Sequence, residues 1–97
     1  MPISKNKLQR ICAIYSKLMR GKKSNIYYSK RDLINYVEKV TDQEISYSSF
    51  EKDMQELKLE FDLEIGYSRY KEGYFLIDPP SIEEFKNRLF NYLKIEL

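Results

Sequence analysis

The residues best suited to chemistry in this sequence are its cations, which are concentrated near its beginning. Residues 1–31 contain nine Lys and Arg and no Asp or Glu. The remaining residues hold eight Lys and Arg against all 15 Asp and Glu, so a charge of +9 is followed by −7, and the sum is +2. A segment of one charge sign favours a polyanionic partner such as DNA or RNA. The alternative is that basic and acidic faces neutralise each other within the fold or in a dimer.

Other reactive groups are scarce. The sequence has no His and a single Cys, so it lacks the commonest general base and metal ligand and cannot form an intrachain disulfide or a thiolate zinc site. Asp53 has no second acid or base placed with it, and we expect it to pair with a nearby Arg or Lys. Cys12 is expected to be a small buried side chain. We therefore expect no metal, no cofactor and no enzyme.

Size and hydropathy define the class of protein. The chain has 97 residues, of which 42% are hydrophobic and 33% charged, which is typical of one folded domain. Its longest apolar run, Ile11–Tyr15, is far shorter than the ~20 residues of a membrane span. The first residues lack the apolar region of a secretory signal. A small, soluble, cytoplasmic domain with no membrane contact is expected.

Apolar residues spaced three and four apart predict two helices in the first half. The first is expected from Ser4, as its N-cap, to Arg20, with Gly21 as its stop. The second is expected from Ser29 to about Val40, because residues 29–32 have the pattern of a capping box. The residues expected to face the core are Leu8, Ile11, Cys12, Tyr15, Leu18, Met19, Leu33, Ile34, Val37 and Val40, whereas Arg10, Lys17 and Arg20 are expected to point away.

A third helix is predicted after a polar turn at residues 41–45. Ser46 is its N-cap candidate, and the helix should run from Tyr47 to about Leu59. Its apolar side is formed by Phe50, Met54 and Leu57, and Phe61 continues that side. At about 100° per residue, Ser48, Lys52 and Gln55 point the opposite way. These side chains can hydrogen-bond base edges; the alternative is a solvated helix face.

The rest of the sequence predicts a hairpin and a last helix. Beyond Phe61 the apolar period changes to two, which predicts strands at residues 63–68 and 74–77 around a turn at residues 69–73. Tyr67 and Tyr74 are expected to pack across this hairpin. Residues 81–84 form a second capping box. In the helix that follows, the residues expected to face inward are Ile82, Phe85, Leu89 and Leu93, with Tyr92 beside them and Phe90 to one side.

The order helix, helix, turn, helix, hairpin, helix predicts a mainly α fold, a winged helix-turn-helix with three helices, a two-stranded wing and an extra C-terminal helix. Residues 1–79 would form the DNA-binding domain, with the third helix in the major groove and the wing on the backbone. Residues 80–97 would serve dimerisation or link to an effector domain that the chain lacks. The candidate DNA contacts are Ser29, Lys30, Arg31, Tyr47, Ser48, Ser49, Lys52, Gln55, Arg69 and Lys71. The alternative function is a protein-interaction (dimerisation) module without DNA binding, favoured by the low charge of the third helix.

Residues 45–57 carry a family resemblance. They resemble the recognition-helix signature of DeoR-like and WYL-domain transcriptional regulators, apolar-Ser-x-Arg-Thr-Ile-x-Arg-Asp-Ile-x-x-Leu. The positions that match in type are Ser46, Phe50, Asp53, Met54 and Leu57, with Lys52 in place of the second Arg. Ser48 stands where the family usually has Arg. Residues 63–67 and 73–76 are similar to its wing, and residues 5–11 and 28–33 to its first two helices. The resemblance implies a bacterial transcriptional regulator that binds double-stranded DNA.

Overall fold

The protein is mainly helical, with one two-stranded hairpin. The computed structural model describes residues 5–96, and the side chains of residues 6–94. The elements are α1 (Lys5–Ser24), α2 (Lys30–Thr41), α3 (Tyr47–Leu59), β1 (Glu64–Ser68), β2 (Gly73–Ile77) and α4 (Ile82–Glu96). The strands are antiparallel. The predicted element order is confirmed at this level, whereas the predicted N-cap Ser4 lies outside the described residues. Among the described helices, none combines the length and apolar character that a membrane crossing requires.

The core forms around α1, which packs against α2, α3 and β2. The fully buried side chains include Ile11, Ile14, Leu18, Leu33, Ile34, Val37, Phe50, Leu57, Phe61 and Leu76. Burying each of them stabilises the fold by about 1.5–3 kcal/mol. One prediction is wrong at the margin of this core, and one holds in part. Val40 is 55% exposed, because the last turn of α2 borders an open groove. Cys12 packs against the core as predicted but is only half-buried, because it borders the same groove.

The residue type of Gly21 predicted that the first helix ends there, but it does not. The helix continues to Ser24, Asn25 then takes the left-handed conformation with φ 59°, and the Ile26 N–H donates to the Gly21 carbonyl at 2.8 Å. This is the usual hydrogen bond of a helix that closes on a left-handed residue. Gly21 is needed for space, because a Cβ there would lie 2.6 Å from the Ile26 carbonyl oxygen and 2.7 Å from the Tyr28 ring. The chain is thereby free to fold back from α1 toward α2.

Left-handed positions elsewhere are also filled by residues other than glycine. Asp42 ends α2 at φ 56°, and Glu72 closes the hairpin turn at φ 54°. Gly73, the residue expected to serve this turn, lies instead in β2 against the backbone of Tyr27 and Tyr28, where a Cβ would approach to 2.8 Å. Glu72 therefore holds a conformation that costs an L-residue about 1–2 kcal/mol.

Replacing Glu72 with glycine is expected to stabilise the protein by about 0.5–1 kcal/mol, because relief of the left-handed strain exceeds the extra entropy of the unfolded chain. Urea unfolding followed by circular dichroism measures the change. Arg69→Gly is the matched control, since Arg69 lies in the same exposed turn without a positive φ. It should destabilise. Equal effects of the two glycines would contradict strain at Glu72.

Side-chain caps position α2 and α3. The Ser29 hydroxyl accepts the Asp32 N–H at 3.1 Å while the Asp32 carboxylate accepts the Ser29 N–H at 3.2 Å, which confirms the predicted capping box. The Ser46 hydroxyl accepts the Ser49 N–H at 3.1 Å at the start of α3. Between the helices, the Glu38 carboxylate accepts the Ile45 N–H at 2.9 Å. This bond fixes the turn that sets the direction of α3 relative to α2.

Helix α4 packs against α1 through stacked rings. Phe85 lies parallel to Tyr15, with centroids 3.7 Å apart, and Tyr92 contacts Phe61 at 5.0 Å. The side that faces the core is thus centred on Phe85 and Tyr92. Ile82, predicted to face inward, is 53% exposed, because this helix is rotated so that its aromatic side chains fill the space beside α1. The Ser81 hydroxyl accepts the Glu84 N–H at 3.1 Å, which is one half of the predicted second capping box.

Candidate nucleic-acid interface

The first turn of α2 meets the first turn of α3 in a cluster of cations around Tyr47. The Lys30 ammonium and the Arg31 guanidinium lie 5.4 and 5.2 Å from the centre of the Tyr47 ring. Arg31 also donates a hydrogen bond to the Tyr47 hydroxyl. Lys30 forms a hydrogen-bonded ion pair with Glu51 on the next turn of α3. The hydrogen bond to Glu51 raises the pKa of Lys30. Three predicted contact residues, Lys30, Arg31 and Tyr47, are therefore brought together.

The outward stripe of α3 is exposed as predicted. Ser48, Lys52 and Gln55 all point to solvent. Ser29 and Ser49, two further candidates, have structural roles: Ser29 caps α2, and the half-buried Ser49 bonds Ser46 through both its N–H and its hydroxyl. Their side chains thus shape the helix ends.

The hairpin borders the same surface through its tyrosines. Tyr67 contacts Tyr74 edge to face with centroids 5.0 Å apart, which confirms the predicted cross-strand pair. Burial raises the pKa of Tyr74; the negative charge of Glu51 raises this pKa further, and the positive charge of Lys30 lowers it. Tyr74 exchanges two backbone hydrogen bonds with Tyr28, of 2.7 and 3.3 Å. Through Tyr74, the hairpin is fixed beside the Lys30–Glu51 pair.

The tip of the hairpin presents a tyrosine between two cations. Arg69 and Lys71 are exposed, as predicted for a loop that meets a backbone, and the Lys71 ammonium lies 5.9 Å from the Tyr27 ring. Tyr70 between them is 92% exposed. Sequence reasoning did not select Tyr70, although an aromatic residue between two basic ones is a signal of nucleic-acid contact. This tip can offer both charge and a stacking surface.

Three acidic side chains of α3 are paired with cations from the first 31 residues. Glu51 pairs with Lys30, the Glu56 carboxylate with Lys7 at 3.1 Å, and the Asp53 carboxylate with Arg10 at 2.7 Å. The sequence placed Arg10 on an outward face, and this was wrong, because α3 crosses α1 at that position and buries the pair. The structural role predicted for Asp53 is confirmed.

Lys17 also departs from its predicted outward position. Its ammonium lies 4.7 Å from the centres of both the Tyr28 and the Tyr36 rings, and the Arg20 guanidinium lies 5.6 Å from the Tyr36 ring. Cations over ring faces are attracted by the ring quadrupole. Lys17 therefore helps to hold α1, α2 and the strand-like segment at Tyr28 together, whereas Arg20 stays exposed.

The exposed side chains of this surface carry hydrogen-bonding and cationic groups. Within the described part of the chain, no group of three or more Cys, Asp or Glu side chains is placed to hold a metal ion. Hydroxyl, amide and ammonium groups on α3 can donate and accept hydrogen bonds, and the flanking cations can meet phosphates. Neither a protein-family model, a curated protein nor a solved structure matches this chain.

Proposed function

We propose that this chain is a winged helix-turn-helix DNA-binding domain of a transcriptional regulator, with α3 in the major groove and the hairpin as its wing. The observation that carries the proposal is the exposed stripe of Ser48, Lys52 and Gln55 on α3, next to the cations at the first turn of α2. A helix about 10–12 Å wide fits the major groove, which is about 12 Å across. Hydrogen-bonding side chains on its outer face then reach base edges.

The topology around the hairpin supports the winged assignment. The segment between α1 and α2 pairs with β2 through Tyr28 and Tyr74. The hairpin is thereby held against the helices, and its basic tip extends from the same side as the start of α2. In this arrangement Arg69 and Lys71 meet the phosphate backbone next to the groove that α3 enters, and Tyr70 lies against a sugar or base.

The charge of α3 is consistent with this role once its ion pairs are counted. Its sequence alone, with Glu51, Asp53 and Glu56 against Lys52 and Lys58, favours a protein partner over DNA. The three carboxylates are each balanced by a cation from α1 or α2. What α3 presents to a phosphate backbone is therefore close to neutral or positive, with Lys52 as its exposed cation in the middle of the stripe.

Duplex binding as a function of salt tests the proposal. Fluorescence anisotropy with a mixed-sequence duplex should show binding at ~50 mM salt, and the logarithm of the affinity should fall by about 0.9 per phosphate contact for each decade of salt. A selection of bound sequences from a random duplex pool then gives the preferred site. Absence of duplex binding at ~50 mM salt, or stronger binding to RNA of the same sequence, would reject the proposal.

Removing the charge of Glu51 is expected to strengthen DNA binding. Glu51→Gln releases Lys30 from its ion pair and removes a carboxylate from the surface that faces the phosphates. One additional phosphate contact predicts a salt dependence steeper by about 0.9 and an affinity higher by about 3- to 10-fold. Glu60→Gln is the control, because Glu60 is an exposed carboxylate at the far end of α3. Equal affinities of the two variants would contradict a role for the Lys30–Glu51 pair.

A second candidate is a dimerisation module that binds protein through α4 and does not bind DNA. The observation that favours it is exposed apolar surface on that helix, where Phe90 is 61% exposed and its ring lies beside the Lys94 ammonium. Sedimentation at micromolar concentration separates the two candidates together with the duplex assay. A dimer that ignores duplex DNA at low salt supports the module, and a monomer that binds duplex DNA excludes it.

A further inference from the structure

A groove between α1 and α4 has an apolar floor. Its walls include Cys12 and Met19 from α1 and Leu89 from α4, and the stacked rings of Tyr15 and Phe85 close its base. Its volume is about 420 Å³, which lies within the range of about 300–1,000 Å³ for small-molecule sites. None of the residues assigned above to the nucleic-acid interface lines it.

The mouth of this groove is cationic. Arg20 and Lys23 stand on the α1 side and Lys86 on the α4 side, and all three are exposed. No acidic side chain lines the groove among the described residues. An apolar floor under three cations is complementary to a molecule that has an apolar body and an anionic head. The Arg20 guanidinium lies 5.6 Å from the Tyr36 ring and is exposed, so its fork of N–H donors can also meet a carboxylate in two parallel hydrogen bonds.

We propose that this groove binds a small amphiphilic carboxylate, a single acyl chain or aryl-alkyl acid, with the chain along Met19 and Leu89 and the carboxylate between Arg20, Lys23 and Lys86. The volume favours a small molecule over a protein helix. Two turns of helix form a cylinder about 10 Å wide and 11 Å long, and the volume of this cylinder is roughly twice that of the groove. The inference does not depend on the proposed DNA binding, since it uses other residues and another face.

Decanoate, below its micelle threshold, is the probe, and methionine methyl groups are the readout. Met19 lines the groove while Met54 is buried in the core, so in protein labelled at the methionine methyls the Met19 signal should shift on titration and the Met54 signal should stay. Butyrate has the same head without the chain, and decyltrimethylammonium has the same chain with the opposite charge. Both should bind at least about tenfold more weakly than decanoate, a difference of about 1.4 kcal/mol.

Charge reversal at the mouth tests the head group. Lys86→Glu should weaken decanoate binding by about tenfold or more, because it removes one charge-assisted contact. Lys58→Glu on α3 is the matched control, since Lys58 is also exposed and does not line the groove; the decanoate affinity of this variant should stay unchanged. Thermal unfolding of each variant checks that the fold is intact. As a second readout, occupancy should slow alkylation of Cys12, the single cysteine of the chain.

Four outcomes would overturn the proposal. They are no shift of the Met19 signal with decanoate, equal binding of decyltrimethylammonium, binding to anionic vesicles without binding of monomeric decanoate, and sedimentation of a dimer in which Cys12 is protected without any ligand. The last result would make a second copy of the chain the occupant. None of these results bears on duplex binding, so the groove and the proposed function can fail separately.

Discussion

Replacing Arg10 with methionine is expected to destabilise the protein by about 3 kcal/mol, because it leaves a buried carboxylate without its partner. Asp53 is 1% exposed, and its two oxygens accept bonds of 2.7 and 3.3 Å from the Arg10 guanidinium. The guanidinium side chain itself is 17% exposed, which places the expected cost at the lower end of the range of about 3–5 kcal/mol for broken buried pairs. Urea unfolding of the variant measures this loss.

A double-mutant cycle separates the pair from the loss of packing. Asp53→Leu alone leaves the Arg10 charge partly buried, whereas the double variant removes both charges and should recover most of the stability. Lys7→Met is the control on the same two helices, because the Lys7–Glu56 pair is more exposed, at 30% and 25%, and should contribute under about 1 kcal/mol. Equal losses for Arg10→Met and Lys7→Met would contradict the burial argument. Additive losses in the cycle would show that the two charges do not act together.

This pair also matters for the position of α3. It connects the middle of α3 to the second turn of α1, 43 residues away in the chain, on a side of α3 that lies about 100° from Lys52 and about 140° from Ser48. The packing of Phe50 and Leu57 fixes which side of α3 is buried, and the bidentate geometry of the pair limits sliding of the helix along that side. The outward stripe of α3 therefore depends on a buried charge pair for its register.

Local patterns predicted most of the elements and the outward stripe of α3. The spacing of Phe50, Met54 and Leu57 gave the buried side of that helix, and the cap at Ser46 gave its start, because both signals act within a few residues. The Tyr67–Tyr74 pair followed from the alternation of the two strands. These features depend on contacts that are close in sequence, and they could be predicted without knowledge of the rest of the fold.

The wrong predictions depend on packing against a neighbouring segment rather than on the pattern within one helix. Gly21 has the residue type of a helix stop. Its actual role is to leave room for the Ile26 carbonyl and the Tyr28 ring, and this role depends on where the following loop lies. The rotation of α4 depends on the stacking of Phe85 on Tyr15, 70 residues apart by their numbers. The periodicity of a helix identifies its apolar face. Which residues at the border of that face are buried depends on the element that packs against it.

Which cations of residues 1–31 pair with carboxylates inside the fold could not be predicted from the sequence. The excess of cations in residues 1–31 predicts an anionic partner, and counting charges cannot tell an internal carboxylate from an external phosphate. Lys7, Arg10 and Lys30 have internal partners. Lys22 and Lys23 at the end of α1 are exposed. The excess is thus divided between holding α3 in place and facing solvent.

Lys52→Ala is expected to reduce affinity for the preferred duplex site by about 5- to 150-fold, corresponding to about 1–3 kcal/mol, while affinity for mixed-sequence duplex falls far less. Lys52 lies in the middle of the exposed stripe, between Ser48 one turn before it and Gln55 one turn after. From that position its ammonium reaches the acceptors N7 and O6 of a guanine when α3 lies in the major groove. The loss should therefore concentrate at one base pair.

Selection from a random duplex pool, repeated with the variant, tests this assignment by position. Lys52→Ala should relax the preference at one base pair and leave the others intact, whereas Lys58→Ala, which removes an equal charge from the exposed last turn of the same helix, should leave the selected sequence unchanged. A uniform loss across sequences with Lys52→Ala, together with a salt dependence shallower by about 0.9, would make Lys52 a phosphate contact. Ser48 and Gln55 would then be the residues that contact base edges. The helix α3 would have to be rotated about its axis by roughly 40–60°, the angle between these residues and Lys52.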